Sequence, residues 1–362
     1  MSTETNLEEF VDTEVFLRNA LCALTSKDVE TLLATIPVVS EQDYTYNHET
    51  PENGWNQGKF HWVPVGRDRG NAGRIKLADN PINPIAERLI NGMEALIELS
   101  RQRELIRDQK SPSPCSPREA VKRYFGLPSL DKIPLGENEE RKSIWQKARE
   151  LARKLRMRLV TNKASGEFTV VIEDEGIGQA PENVHKTLLS LGATTKGDKP
   201  YLIGVFGQGG ASAYSACRYS WVLSRLAEDL RCGCNGGIGW TVIKHIFPSG
   251  RRDDYFAYLA AHPDGRVPFF TEAVAEKVGV RHGTRFAHIN YDFGRGEAQV
   301  VRRLFPALNH VLFNPIIPYE LYAARDSADL MSGNAYRLSN LSVRGPKPVL
   351  DKVFEKQDVS GY

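Results

Sequence analysis

The chain has 362 residues, 41% of them hydrophobic and 25% charged, with a net charge of +2. That composition is ordinary for a soluble globular protein of one large or two modest domains. It excludes any argument from bulk charge for nucleic acid or an anionic membrane as partner. The five cysteines, at 22, 115, 217, 232 and 234, are odd in number and irregularly spaced. They fit free thiols in a reducing compartment better than a disulfide framework. Cys232 and Cys234 have no second Cys or His pair at zinc-site spacing, so two small residues beside an Asn-Gly-Gly turn is the favoured reading. The acidic, polar N-terminus is no signal peptide, and no apolar run has membrane-spanning length. A cytoplasmic protein with no membrane contact is the expectation.

In chain order, residues 6–35 predict two short helices anchored by Phe10, Val15, Phe16, Leu21 and Leu24, then Leu32 and Leu33, with capping residues around Thr25. Residues 36–59 are polar and turn-rich, and residues 60–65 have strand character. An amphipathic helix spans 84–99, with Ile85, Leu89, Leu96 and Leu99 at helical spacing, Ile90 and Met93 beside them, and Pro84 in the first turn. Residues 101–156 hold a Ser/Pro cluster and two helical patterns, the second (138–156) rich in Glu, Lys and Arg, read as an inserted segment on the surface. Its basic residues, among them Lys147, Arg149 and Arg153, suit either a partner or DNA contact or, more simply, a solvated face balanced by nearby glutamates.

Residues 157–173 predict a β-hairpin turning at 162–166, and residues 181–191 a short helix. Strands follow at 219–224, 237–247, 255–260, 267–271 and 284–290, then a helix at 295–313 and a strand at 316–322. Residues 333–362 are polar and poorly patterned. Strands arriving in succession after helices predict an α+β layered domain with a mostly antiparallel sheet.

Four stretches carry the chemistry. On the helix at 84–99, Glu87, Asn91 and Glu94 stand at i, i+4 and i+7 on one face, a carboxylate one turn from a carboxamide. The strand at 168–173 runs straight into Asp174, Glu175, Gly176, Ile177 and Gly178. Residues 204–213 form a glycine-rich turn, with Gly204, Gly207, Gly209 and Gly210, that leads into a small-residue helix start. The strand at 283–289 opens on Gly283-Thr284. Taken singly each is weak; four ordered motifs at compatible spacing are not.

In this order they resemble the nucleotide site of the GHKL ATPase superfamily, which includes gyrase B, Hsp90, histidine kinases, MutL and the MORC proteins. The resemblance covers residues 60–292 and is nearest the hydrolysing, Hsp90- and MORC-like branch. It implies a Bergerat-type two-layer α/β sandwich with ATP and Mg²⁺ as cofactors. Domain limits follow: 1–59 as a helical arm or cap, 60–292 as the ATP-binding domain with 101–156 inserted, and 293–362 as a C-terminal helix and extension.

By the resemblance, Asp174 accepts a hydrogen bond from the adenine amine, Thr284 supports the same edge, and Gly176 and Gly178 let the backbone approach the base. Gly204, Gly207, Gly209 and Gly210 match the second glycine box, whose N–H groups and following helix start form an anion site without a cationic side chain. Lys196 contacts a phosphate, and residues 192–210 form a lid. Asn91 matches the Mg²⁺ ligand and Glu87 the base that deprotonates the attacking water. Glu94 stands where relatives carry Asp, and Gly92 where they carry Ser or Ala.

Histidine kinases usually have Asn in place of Glu87, so hydrolysis is expected over phosphotransfer, with a non-hydrolysing ATP sensor and a histidine-kinase-like phosphotransferase as the alternatives. Relatives pair their ATPase domains on ATP, which implies a homodimer, with a protein partner subunit as a further expectation. The same engine serves antiphage defence, mismatch repair, chaperoning and chromatin compaction. A role in a bacterial antiphage or DNA-handling complex is the expectation here, although charge gives no argument for nucleic acid.

Overall fold

The computed structural model of the chain describes residues 4–40, 53–133, 138–191, 197–203, 209–247, 254–294, 299–323 and 326–336. Nine helices are found among them: α1 Thr13–Cys22, α2 Ser26–Leu33, α3 Ile82–Arg107, α4 Pro117–Phe125, α5 Glu139–Ala152, α6 Pro181–Thr187, α7 Ser212–Ser215, α8 Glu272–Val278 and α9 Val300–Val311. The strands are β1 His61–Pro64, β2 Leu155–Thr161, β3 Phe168–Asp174, β4 Cys217–Arg225, β5 Ile238–Ile246, β6 Tyr255–Ala260, β7 Phe269–Phe270, β8 Gly283–Tyr291, β9 Tyr319–Ala323 and β10 Asp329–Met331. They form one sheet in the order β1-β6-β5-β4-β8-β3-β2-β9-β10, with β7 on β5. Neighbouring strands run antiparallel except β2 and β9. The expected α+β class and mostly antiparallel sheet are present, and the sheet is not closed into a barrel. No helix among the described residues is long and apolar enough to cross a membrane.

Alternation along the strands sorts the core into two faces. In β3, Val170 and Ile172 join the cluster under α3, whereas Val171 belongs to the opposite cluster. In β4, Trp221 and Leu223 share that opposite face, which α1, α2 and α8 cover. The Trp221 and Trp240 rings stack 5.4 Å apart, and Phe16 of α1 lies 5.3 Å from Trp240. Phe16 and Leu17 are fully buried there, and each such side chain contributes about 1.5–3 kcal/mol. Thr5 N–H donates to the Ala261 carbonyl at 2.8 Å and the Thr169 hydroxyl to the Leu24 carbonyl at 2.7 Å, tying down the start of the segment and the link between α1 and α2. The described part of the N-terminal segment is thus a cap on its own sheet.

Helix α3 crosses the other face. Ile85, Leu89, Met93, Leu96 and Ile97 are buried against β2, β3 and the later helix α9. It runs to Arg107, well past the expected end at residue 99, because its polar last turns have partners. Arg101 is buried; it donates to Glu104 at 2.6 Å and to the Ser111 carbonyl at 2.8 Å. Arg123 of α4 pairs with the same Glu104, and the Tyr124 hydroxyl donates to it at 2.8 Å. The charged pattern of 101–156 pointed to a surface insertion, but one stripe of small and apolar residues is buried. Ala120 and Val121 of α4 and Ala148 and Leu151 of α5 join the core beneath α3.

Burial alone would raise the Glu104 pKa, but hydrogen bonds from Tyr124, Arg101, Ser111 and Arg123 outweigh it and bring it down to about 2. A depressed carboxylate contributes stability above its unfolded pKa of 4.5, and that contribution fades as pH falls toward 2. Glu104→Ala should therefore cost about 3 kcal/mol at pH 7, since it strands the buried Arg101 guanidinium. In denaturant unfolding the gap to the parent protein should narrow between pH 4.5 and 2. An equal gap at pH 7 and pH 2.5 would show that Glu104 acts through packing alone.

Candidate functional site

The ends of β3, β4 and β8 lie side by side under the middle of α3. Register places Asp174 opposite Thr284, and Thr284 opposite Ser224. The Ser224 and Thr284 hydroxyls are 2.9 Å apart and buried. Asp174 continues the even-numbered, α3-facing side of β3, and its Cβ is 3.5 Å from where a Cβ on Gly92 would stand.

The loop after Asp174 is clamped from every side. Gly176 N–H donates to Asp174 Oδ1 at 2.9 Å, and Ile177 N–H donates to the Ala95 carbonyl on α3 at 3.0 Å. Ala227 N–H donates to the Ile177 carbonyl at 2.9 Å, and His282 Nδ1 meets the Gly176 carbonyl at 2.8 Å. Gly178 has φ +64°, and a Cβ there would stand 1.9 Å from the Arg225 carbonyl oxygen. Only glycine fits that position.

Burial pushes the Asp174 pKa up to about 7, against backbone hydrogen bonds from Gly176 and Thr284, while the Glu175 charge adds to the rise. Part of the residue's surface still meets solvent. A carboxyl so placed, with one oxygen held by Gly176, gains most from a donor brought to the other.

On α3, Glu87 is exposed, Asn91 half-buried and Glu94 only 3% exposed. Glu94, expected near the nucleotide, is engaged by the segment that precedes the glycine-rich stretch. Its carboxylate accepts the Ile203 N–H at 2.6 Å. One turn on, Glu98 accepts from Lys199 Nζ at 2.7 Å and from the Tyr201 hydroxyl at 3.1 Å. Glu94 and Glu98 therefore moor residues 199–203 along α3 just before the glycine-rich stretch. The extra methylene of Glu over Asp supplies the reach. Lys196, Gly204 and Gly207, with most of the expected lid, lie outside the described residues.

Gly209 and Gly210 begin a 3₁₀ turn, Gly209–Ala211, that leads into α7. A Cβ on Gly210 would stand 2.8 Å from Arg88 Nη1 and 3.2 Å from Asn91 Nδ2. The missing side chain keeps the space over Asn91 open. The following helix has four residues, so the aligned dipole expected of a helix start is short here.

The structure thus brings together Asn91, Asp174, Gly176, Gly178, Gly209, Gly210 and Thr284, with Glu87 on the same helix face at the rim. An amide oxygen at Asn91 is a hard neutral donor. It could hold an ion such as Mg²⁺ whose charge is met largely by phosphate oxygens and waters. Sequence reasoning missed Arg88, Glu98, Ser224 and His282. Ser220 and Ser224, which flank the apolar run Trp221-Val222-Leu223, were a legible sign of a polar end to β4. A cavity of about 480 Å³ opens on the opposite face of the sheet, between Leu21, Arg156, Glu173, Val280 and Arg285. Asp174, Ser224, His282 and Thr284 of the candidate site also line it. Comparison with protein-family models and with curated proteins gives no match, and the functional reading rests on the residues and geometry above.

Proposed function

We propose that the chain is a Mg²⁺-dependent ATPase module of the GHKL kind. The observation that carries this reading is the placement of the clamped Asp174–Gly178 loop and the Thr284 strand end against Gly92 of α3, next to Asn91, which in turn borders Gly210. In this reading, Asp174 accepts the exocyclic amine of adenine through the oxygen that Gly176 does not hold, and Thr284 supports the same edge with Ser224 behind it. Asn91 would hold Mg²⁺, which when bound neutralises phosphate charge and orients the chain for in-line attack. Glu87, exposed and one turn away, takes the proton of the attacking water. Glu94 and Glu98 act as positioning residues, anchoring the segment that leads to the glycine-rich turn.

Steady-state phosphate release from ATP tests the reading. Release should depend on Mg²⁺ and stop with a chelator. Tight ATP binding with no release would favour the non-hydrolysing sensor, and transfer of the γ-phosphate to the protein would favour the kinase. Dimerisation on ATP stays part of the proposal. Because residues 4–40 cap their own sheet, the dimer surface is sought at the glycine-rich side rather than in an exchanged N-terminal arm.

A further inference from the structure

Arg88 follows Glu87 on α3 and is only 6% exposed. Its guanidinium lies 4.0 Å above the Phe286 ring and 5.0 Å from the Tyr214 ring. Nε and Nη2 are buried without a hydrogen-bond partner. No carboxylate among the described residues pairs with it. Two aromatic faces offset part of the cost of such a cation. The bare, unpaired guanidinium nitrogens cost more than that. A buried charge of this kind calls for an anion.

The position says which anion. Nη1 borders Gly210, at the mouth of the space that Asn91 shares. Arg88 lies three residues before Asn91, on the adjoining strip of α3 and toward the helix N-terminus, away from Asp174. A ligand whose base meets Asp174 and whose metal meets Asn91 therefore extends its phosphates toward Arg88. The four-residue α7 adds little dipole there, which leaves a role for a side-chain cation.

We propose that Arg88 is the counter-ion of the ligand's phosphate chain, reached past Gly210. The inference rests on the nucleotide reading, and it adds a specificity determinant for di- and triphosphates over the nucleoside. In the empty protein the charge waits on its aromatic bed; in the complex the guanidinium donates to phosphate oxygens.

The test compares Arg88→Met and Arg88→Lys with the parent protein by calorimetry against ATP, ADP and adenosine, and by thermal shift against inorganic pyrophosphate. Arg88→Met should lose roughly 10- to 100-fold in affinity for ATP and ADP, the scale of a charge-assisted hydrogen bond to phosphate. Adenosine affinity should not change, and the melting temperature should not fall, because an apolar replacement of a buried unpaired charge is neutral or stabilising. Arg88→Lys should recover part of the lost ATP affinity, and pyrophosphate should stabilise the parent but not Arg88→Met. Equal losses for adenosine and ATP, a collapsed melting temperature, or unchanged ATP affinity would each overturn the proposal and leave Arg88 a packing residue. A parent protein that responds to pyrophosphate but to no adenine compound would sustain the anion site and refute the adenine reading. No response to either would refute both.

Discussion

Glu87→Ala should leave ATP bound and slow its hydrolysis by at least about a hundredfold, the usual scale of general acid–base catalysis. The side chain is exposed on α3, so its removal opens no cavity and should change stability by no more than about 0.5 kcal/mol. What it removes is the carboxylate nearest the rim one turn before Asn91, where a water aligned on the terminal phosphate would give up its proton. Phosphate release and ATP calorimetry on the same preparation separate the two effects. The variant should also hold unhydrolysed ATP, so light scattering with ATP and Mg²⁺ should show the paired species more clearly than in the parent. Parental hydrolysis in Glu87→Ala would remove the base and with it the ATPase assignment.

Asp174→Asn should move binding and stability in opposite directions. The amide can present a donor where the adenine amine needs an acceptor, so ATP binding should be lost. Stability follows from the raised pKa. The folded protein keeps a proton on Asp174 up to about pH 7, whereas the unfolded chain releases it near 3.8. Between those values the native state binds more protons, so stability falls as pH rises through that window and the deficit persists above pH 7. Asparagine carries no charge and escapes the deficit. The variant should therefore be more stable than the parent at pH 8, by roughly 1–3 kcal/mol, and close to it at pH 4. In the parent, ATP affinity should rise from pH 6 to pH 8 as the carboxylate forms. A variant that binds ATP as the parent does, with no gain in stability at pH 8, would reduce Asp174 to a turn residue. Such a site trades stability for a ligand-ready acceptor.

Much of this was legible in the sequence because it is local. The hairpin before Asp174 shows as two strand-like runs around the turn Asn162-Lys-Ala-Ser-Gly166, and it appears as β2 and β3 with Asp174 as the last residue. The i, i+4 spacing of Ile85, Leu89 and Met93 gave the face of α3, and glycines at 176 and 178 gave the tight loop. What escaped was set by distant parts of the chain. Glu94 bonds Ile203 across 109 positions, and no spacing rule shows that. Arg88 sits where the helical period allows burial, but residue type argued for solvent; only the aromatic pair Tyr214 and Phe286 makes it an interior residue. The length of α3 depends on Ser111, Arg123 and Tyr124 closing around its last turns. The alanine stripe of α4 and α5 was hidden among charges, since alanine marks a buried face far less loudly than leucine. Strand register, which pairs Ser224 with Thr284, follows from neighbours and not from either strand alone.

The most direct test of the nucleotide site is calorimetric titration of the purified chain with ATP and Mg²⁺ at pH 8, repeated with Asp174→Asn. One saturable binding event per chain is expected for the parent and none for the variant. No heat and no thermal shift at millimolar ATP, or equal binding by both proteins, would contradict it.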